Sequence, residues 1–423
     1  MERIIAFDVR KAYVKMERKK VELYKVKADC CACGACVNIC PKHAISMQKD
    51  ENGFMYPVID DTLCIGCQAC TKVCAFQNIN EKKGAIDVYA AARNDEKKIL
   101  KSTSGGIFAV FAEKVLEKQG IVYGATMEYC NQQLQVRHVG IETLEELERL
   151  QGSKYVQSDL GNVYSEVREQ LLKGREVLFS GTPCQVAGLK AFLKREYNNL
   201  LTIDIICHGV PSNTLFQEHI KELEKKLGVK IEKYVFRNKE NGWGLKSKII
   251  GVKENGEKME YQYNASELSY YSLFLDGYIY RENCYKCKYT NEYRPADITI
   301  GDYWGVGDIH PAYITDNGGK LEKKLGISTI ILNSEHGKDC LYNVEEKLYM
   351  YESEFEKVAS RNPQLRVPCK YPSVRNKIFS IYRNKGYVAV DKYAVQLNRR
   401  KENKRKIKEL CKKIIMRNKG NTK

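Results

Sequence analysis

The stretch CCACGACVNICP, residues 30–41, and its echo CIGCQACTKVCA, residues 64–75, decide how this chain is read. Cys30, Cys33, Cys36 and Cys40 recur as Cys64, Cys67, Cys70 and Cys74, each set spaced C-x2-C-x2-C-x3-C. This spacing suits 4Fe–4S cubanes. Three thiolates on one tight loop reach three irons, and the fourth, past a short spacer, points to the neighbouring cluster. Two copies make a pseudo-two-fold module with two clusters. One cluster takes Cys30, Cys33, Cys36 and Cys74, and the other takes Cys40, Cys64, Cys67 and Cys70. Gly34, Ala35, Gly66 and Ala69 are small enough for the backbone to wrap a cluster and aim N–H groups at sulfur. Zinc knuckles favour separated CxxC pairs, which this doubled run is not. Ala75 replaces the Pro41 of the first copy, which removes a stiffening residue but no ligand. Cys31 is an extra thiol, read as a small buried or loop residue.

Working outward, the chain is long enough, at 423 residues, for several domains and a sizeable core. Its 43% apolar and 29% charged residues are ordinary for a globular protein, and no apolar run is long enough for a membrane span. The N-terminal residues lack the apolar region of a secretory signal. The expectation is a reducing, cytoplasmic compartment in which the 17 cysteines serve as metal ligands or redox groups rather than disulfides. The net charge of +17 invites a nucleic-acid reading, but it sits at the ends. Residues 398–423 carry 12 Lys or Arg against 2 Glu, and residues 1–27 carry 9 against 4 acidic residues. The body between them is nearly neutral, so nucleic acid is an unlikely partner.

These features divide the chain into a basic leader (1–27), an α+β ferredoxin-like dicluster module (28–80), a connector around Asn80–Gly84, a larger α/β domain (85–395) and a basic tail (396–423). In the α/β domain, apolar runs read as strands over 88–93, 121–125, 176–180, 200–207, 298–301 and 327–332. Helices are expected over 105–118, 183–194 and 211–227, and a hairpin over 246–263. Alternating strands and helices predict a layered α/β fold.

Four further cysteines fall at loops of this domain. Cys184 lies in SGTPCQ at a strand-to-helix turn, Cys207 ends the next strand in ICHGVP, and Cys284 and Cys287 form a CxxC. Loops that follow adjacent strands of an α/β sheet converge at the carboxyl edge. Four thiolates there suit a third 4Fe–4S cluster or a Cys₄ zinc site. The run Ser102-Thr103-Ser104-Gly105-Gly106 opens the 105–118 helix, and its hydroxyls and N–H groups suit a diphosphate or a simple N-cap.

Together, STSGG (102–106), GSKYV (152–156), GTPCQ (181–185), CHG (207–209), Cys284-x2-Cys287 and GDYWG (301–305) closely resemble the coenzyme F(420) hydrogenase/dehydrogenase beta-subunit family. The resemblance runs from about residue 85 to 310 and more loosely to 395, with N-terminal and C-terminal parts meeting near 165. It implies FAD and a 4Fe–4S cluster, so that the α/β domain binds a flavin and Cys184, Cys207, Cys284 and Cys287 hold a cluster rather than zinc. Many members of the family carry a fused N-terminal dicluster ferredoxin, as here. Ser102, Thr103, Ser104, Gly105 and Gly106 then face the flavin diphosphate, with Lys154 adding a cation.

The function expected is a flavin- and iron–sulfur-dependent oxidoreductase. It passes electrons between an organic two-electron substrate, deazaflavin-like or other, and the clusters, ferredoxin or another redox partner protein. The competing reading is a non-enzymatic iron–sulfur electron-transfer subunit. His208 is a weak catalytic candidate, more often a structural histidine, while Asp302, Trp304 and Trp243 are candidates to line the site. In the tail, Ile407, Leu410, Cys411, Ile414 and Ile415 recur at helical spacing, a basic amphipathic helix suited to peripheral membrane contact or an acidic partner.

Overall fold

A computed structural model describes residues 21–78 and 84–420, with side chains to 409. Most of the basic leader and the connector lie outside the described residues. The N-terminal module carries two short helices, Ala35–Ile39 and Ala69–Lys72, and a hairpin of β1 (Ile45–Lys49) and β2 (Met55–Ile59). Its internal repeat is visible in the backbone. Ala32 and Gly34 have φ of 52° and 79°, and the matching Gly66 and Gln68 have 72° and 60°. Left-handed residues at matched positions turn both cysteine loops the same way.

The larger domain contains β3 (Asp87–Arg93), β4 (Ile121–Cys130), β5 (Gln133–Ile141), β6 (Val177–Gly181) and β7 (Leu200–Ile205). It continues with β8 (Lys230–Val235), β9 (Lys246–Val252), β10 (Lys258–Asn264), β11 (Ile298–Asp302), β12 (Ser328–Leu332) and β13 (Leu348–Ser353). Eight strands form one mixed sheet in the order β13-β3-β12-β11-β7-β6-β4-β5, and β8, β9 and β10 form a separate antiparallel sheet. The central β11, β7, β6 and β4 are mutually parallel. They are buried on both faces, as parallel strands require. In β6, Val177 and Phe179 pack with the helix Pro183–Leu193, while Leu178 packs with the helix Ile107–Glu117.

This topology decides where a site can form. β3 pairs antiparallel with β12, and β12 antiparallel with β11, so β3 runs in the direction of β11, β7 and β6. The segments that follow β3, β6, β7 and β11 therefore leave the sheet at one edge.

Two expectations need correction. The strand read as 121–125 continues to Cys130 and folds back as β5, through a two-residue turn at Asn131 and Gln132 with φ of 51° and 62°. That turn geometry normally advertises itself with glycine, which is absent here. The tail does not begin a new element at 396. A helix runs from Val374 to Gly420, interrupted only by the non-helical Gly386. Ile407 of its apolar stripe is exposed, and the side chains from Leu410 onward lie outside the described residues. Among the described residues no helix is long and apolar enough to cross a membrane.

Candidate functional site

The repeated loops bring the N-terminal cysteines into two groups. Cys30, Cys33, Cys36 and Cys74 act electrostatically on one another. Cys40, Cys64, Cys67 and Cys70 face one small cavity on the other side of the module. Cys67 is exposed, whereas Cys31, Cys33 and Cys70 are buried. Burial pushes the Cys30 thiol up to about 11 and raises Cys36 well above the ordinary thiol range. Such thiols are neutral until a metal takes the proton's place, the usual coupling of metal binding to thiol ionisation.

In the α/β domain, Cys184 is the second residue of the Pro183–Leu193 helix, whose N-cap Thr182 brings its hydroxyl to 3.2 Å from the Cys184 sulfur. Cys207 follows β7, Cys284 lies within a 3-10 turn, Glu282–Lys286, and Cys287 caps that turn at its C-terminal end. The four thiols come from three separate segments, yet each of Cys184, Cys284 and Cys287 acts electrostatically on Cys207. Burial raises Cys207 strongly and pushes Cys284 and Cys287 to about 12 and about 11. A set of four half-buried cysteines fits a 4Fe–4S cluster in donor chemistry. Among the described residues no three His, Cys, Asp or Glu side chains converge closely enough to share one ion, so no single-ion centre is preformed.

Cys31 has a larger role than its sequence context suggests. Its buried thiol is a hydrogen-bond donor within reach of both Cys33 and Cys184. It therefore lies between the nearer N-terminal cysteine group and the α/β-domain group. The Cys31 hydrogen bond is the main reason that the Cys184 thiol is drawn down to about 7. Contact between the two modules is close. At Gly188, in the Pro183–Leu193 helix, an added Cβ would stand 2.9 Å from the Cys33 sulfur.

The sheet edge opens onto a cavity of about 280 Å³. Ser102, Thr103, Ser104, Gly106, Lys154, Cys184, Cys207, His208, Asp302 and Trp304 all line it. Gly106 caps the eleven-residue helix Ile107–Glu117 with φ of 82°, so that helix presents its N-terminus to the cavity. Two sequence motifs clasp each other there. Gln151 donates to the Ser102 hydroxyl at 3.2 Å, and Ser153 donates to that of Thr103 at 3.0 Å. Gly152 has open space where a Cβ would stand, a cradle on the cavity wall.

Gly105 does not line the cavity. Its N–H donates to the Ser328 hydroxyl at 2.9 Å, and an added Cβ would stand 2.5 Å from the Ala91 carbonyl oxygen. Its size serves packing on the sheet. The Ser104 hydroxyl is likewise committed to the Ile327 carbonyl at 2.9 Å. The half-buried Lys154 ammonium donates to the Arg149 and Gln151 carbonyls at 3.0 and 2.8 Å, and burial pulls it down to about 7.

Sequence reasoning missed several groups at this edge. His138, from β5, lines the cavity, with one ring nitrogen 3.0 Å from the Ser180 carbonyl oxygen and Nδ1 unpartnered. Burial draws it down to about 4, so it is neutral. Arg237 pairs with Asp302 at 2.9 Å and lies over the Trp304 ring, and Trp304 stacks on Trp243 with centroids 4.6 Å apart. Trp243 thus supports the cavity wall through Trp304. Neither His138 nor Arg237 stands in a recognisable motif, and only the folded topology brings them to Asp302 and Trp304.

The cysteine loops and the sheet-edge cavity mark a protein with a 4Fe-4S dicluster domain that is related to F(420)-dependent oxidoreductases. Residues 174–358 match the family model for the C-terminal part of the coenzyme F(420) hydrogenase/dehydrogenase beta subunit, and residues 29–78 match the 4Fe-4S dicluster domain. Residues 174–358 therefore carry the C-terminal part of this beta-subunit family, with a dicluster domain on their N-terminal side. It is similar to the coenzyme F(420)-dependent sulfite reductase of Methanocaldococcus jannaschii, 23% identical over 352 residues, covering 78% of this chain and 48% of that protein. It is also similar to a subunit of the F(420)H(2) dehydrogenase of Methanosarcina mazei, 26% identical over 212 residues, covering 45% of this chain and 58% of that protein. The chain spans about half the length of these relatives. A chain of the F420-reducing nickel–iron hydrogenase complex from Methanosarcina barkeri aligns with a TM-score of 0.40 at 16% identity, covering 78% of this chain and 96% of that one.

Proposed function

We propose that this chain is a flavin- and iron–sulfur-dependent oxidoreductase. Its cavity takes FAD and an organic two-electron carrier, deazaflavin-like or of another kind, and its cysteines hold three 4Fe–4S clusters that deliver electrons to or from a redox partner protein. The observation that carries this reading is a shared wall. Cys184 and Cys207 line the same cavity as Ser102, Thr103 and the N-terminus of the Ile107–Glu117 helix.

A flavin bound there would supply the exchange between a two-electron organic carrier and one-electron clusters. The chain's own residues bind and orient. The helix N-terminus and the Gly152 cradle receive a diphosphate, since unpaired N–H groups and the helix dipole favour anions. Lys154 adds a cation whose charge an incoming anion stabilises. Ile205, 40% exposed on the cavity wall, and Trp304 offer flat apolar surface that excludes water. His208 keeps an exposed ring toward the cavity.

Anaerobic reconstitution of the full chain followed by iron, sulfide and flavin analysis tests the proposal. About twelve irons and one FAD per chain are expected for three clusters. Clusters without flavin under any preparation would leave an electron-transfer protein with no hydride chemistry of its own.

A further inference from the structure

Five arginines are buried in the described residues: Arg93, Arg237, Arg281, Arg294 and Arg375. Four have a carboxylate within salt-bridge distance: Glu113, Asp302, Asp204 and Glu282 respectively. Arg281 has none among the described residues, although its exposure is 0%. Its Nε donates to Gln157 Oε1 at 2.9 Å, and its terminal nitrogens donate to the carbonyls of Cys30 and Met55. Its guanidinium lies 4.3 Å from the Tyr56 ring centroid and 5.4 Å from that of Phe54. Carbonyls and aromatic faces orient a guanidinium but do not neutralise it. A buried charge without a counter-charge is costly and is normally paired or placed beside a metal.

The position of Arg281 points to the missing partner. The residue stands three positions before Cys284, whose backbone N–H donates to its carbonyl at 3.1 Å. Its side chain crosses into the N-terminal module and reaches the Cys30 carbonyl. The Gln157 side chain that accepts from its Nε donates in turn to the Cys31 carbonyl at 3.1 Å, so the guanidinium is held between the Cys30–Cys33 loop and the Cys284–Cys287 loop. A thiolate-bound 4Fe–4S cluster is net anionic, so two such groups would flank this lone cation.

We propose that Arg281 is the shared counter-charge of two clusters, the one held by Cys30, Cys33, Cys36 and Cys74 and the one held by Cys184, Cys207, Cys284 and Cys287, and that it raises the reduction potential of both. Reduction adds one electron, and so one negative charge, to a cluster; a fixed cation in a dry interface favours the reduced form. The second half of this proposal rests on the third cluster proposed above, whereas the first half needs only the dicluster domain. Arg281 is a positioning residue, because it touches no ligand sulfur directly.

The test is a potentiometric titration of the full-length chain followed by electron paramagnetic resonance, comparing wild type with R281Q and R281K. Each is reconstituted anaerobically and analysed for iron, and a C67S background marks the distal cluster. R281Q with full iron is expected to lower the reduction equilibrium of the two flanking clusters at least tenfold, about 59 mV for one electron. The distal cluster stays unchanged, and R281K retains most of the wild-type potential. Full iron with unmoved potentials, or an equal shift of all three clusters, overturns the proposal. Should R281Q fail to load iron, loading of R281K with near-native potentials supports a requirement for charge. Failure of both variants assigns Arg281 to shape alone and overturns the proposal. A wild-type iron content of eight would refute the third cluster by itself, leaving the Cys30-side cluster to decide the case of Arg281.

Discussion

The pair Asp204–Arg294 ties the two halves of the four-cysteine site together, and breaking it should release one half of that site. Both side chains are buried, at 0% and 1% exposure, and the Arg294 guanidinium meets the Asp204 carboxylate at 2.8 Å. Arg294 also donates to the Tyr289 carbonyl at 2.6 Å and the Ile205 carbonyl at 2.9 Å. Ile205 ends β7 two residues before Cys207, and Tyr289 stands two residues after Cys287. One guanidinium therefore fixes the spacing of two ligand loops. R294M leaves the buried Asp204 carboxyl without its counter-charge, a loss of about 3–5 kcal/mol for breaking a buried pair. At roughly 2–4 °C per kcal/mol for a domain of 150–250 residues, the melting temperature of the α/β domain should fall by about 6–20 °C. The double variant D204L/R294M replaces the pair with apolar groups and should recover most of that stability, because apolar isosteres of buried pairs are often neutral or better. It does not recover the hydrogen bonds to Tyr289 and Ile205. Iron analysis beside denaturation separates the two effects. R294M and the double variant should both lose the iron of the four-cysteine site and keep that of the dicluster domain, while only R294M loses stability. A single R294M variant that keeps full iron and melts within 1 °C of wild type would refute the reasoning.

Three further outcomes are expected. Burial holds Lys154 near 7, and a bound diphosphate raises it again. Affinity for FAD, followed by flavin fluorescence, should therefore be flat below pH 7 and weaken by up to about tenfold per unit above it, with K154M flattening the profile. G105A places a methyl group 2.5 Å from the Ala91 carbonyl oxygen and 3.0 Å from Ser328. It should cost about 1–3 kcal/mol in urea unfolding, as overpacking does. C31S should keep the full iron content of the wild type, because Cys31 belongs to neither spaced quartet; iron lost in C31S would make Cys31 a ligand.

The parts of this molecule legible in the sequence are those written in local spacing. Both cysteine quartets could be read because each ligand loop is contiguous, and its left-handed turns recur at matched positions, Ala32 with Gly66 and Gly34 with Gln68. The strands at 88–93, 177–181, 200–205 and 328–332 were legible because they are buried on both faces and form short apolar runs. The β4–β5 hairpin was not, since Asn131 and Gln132 adopt positive φ without a glycine to signal it. Gly105 has a role that was illegible for a related reason. A glycine beside serines at a helix start reads as a phosphate loop, and its lack of a Cβ is also required by the Ala91 carbonyl behind it, a contact that only the fold creates.

Buried charges were the least legible feature, because sequence shows a charge but not its partner. Arg237, Arg281 and Arg294 look alike as isolated basic residues in a chain with 70 Lys and Arg. The fold gives each a different environment. Arg294 is neutralised by Asp204 and spaces two ligand loops. Arg237 is neutralised by Asp302 and stiffens the Trp304 wall. Arg281 meets only carbonyls and aromatic rings besides the Gln157 amide. Because burial costs a guanidinium the same desolvation wherever it lies, the unpaired one is where an absent anion should be sought. Arg281 lies between the Cys30 and Cys284 loops, and Cys31 bridges Cys33 and Cys184 in the same interface. One cation and one thiol thus lie where the nearer ferredoxin cysteines meet the cavity cysteines. The exposed Cys67 leaves the other ferredoxin group facing outward.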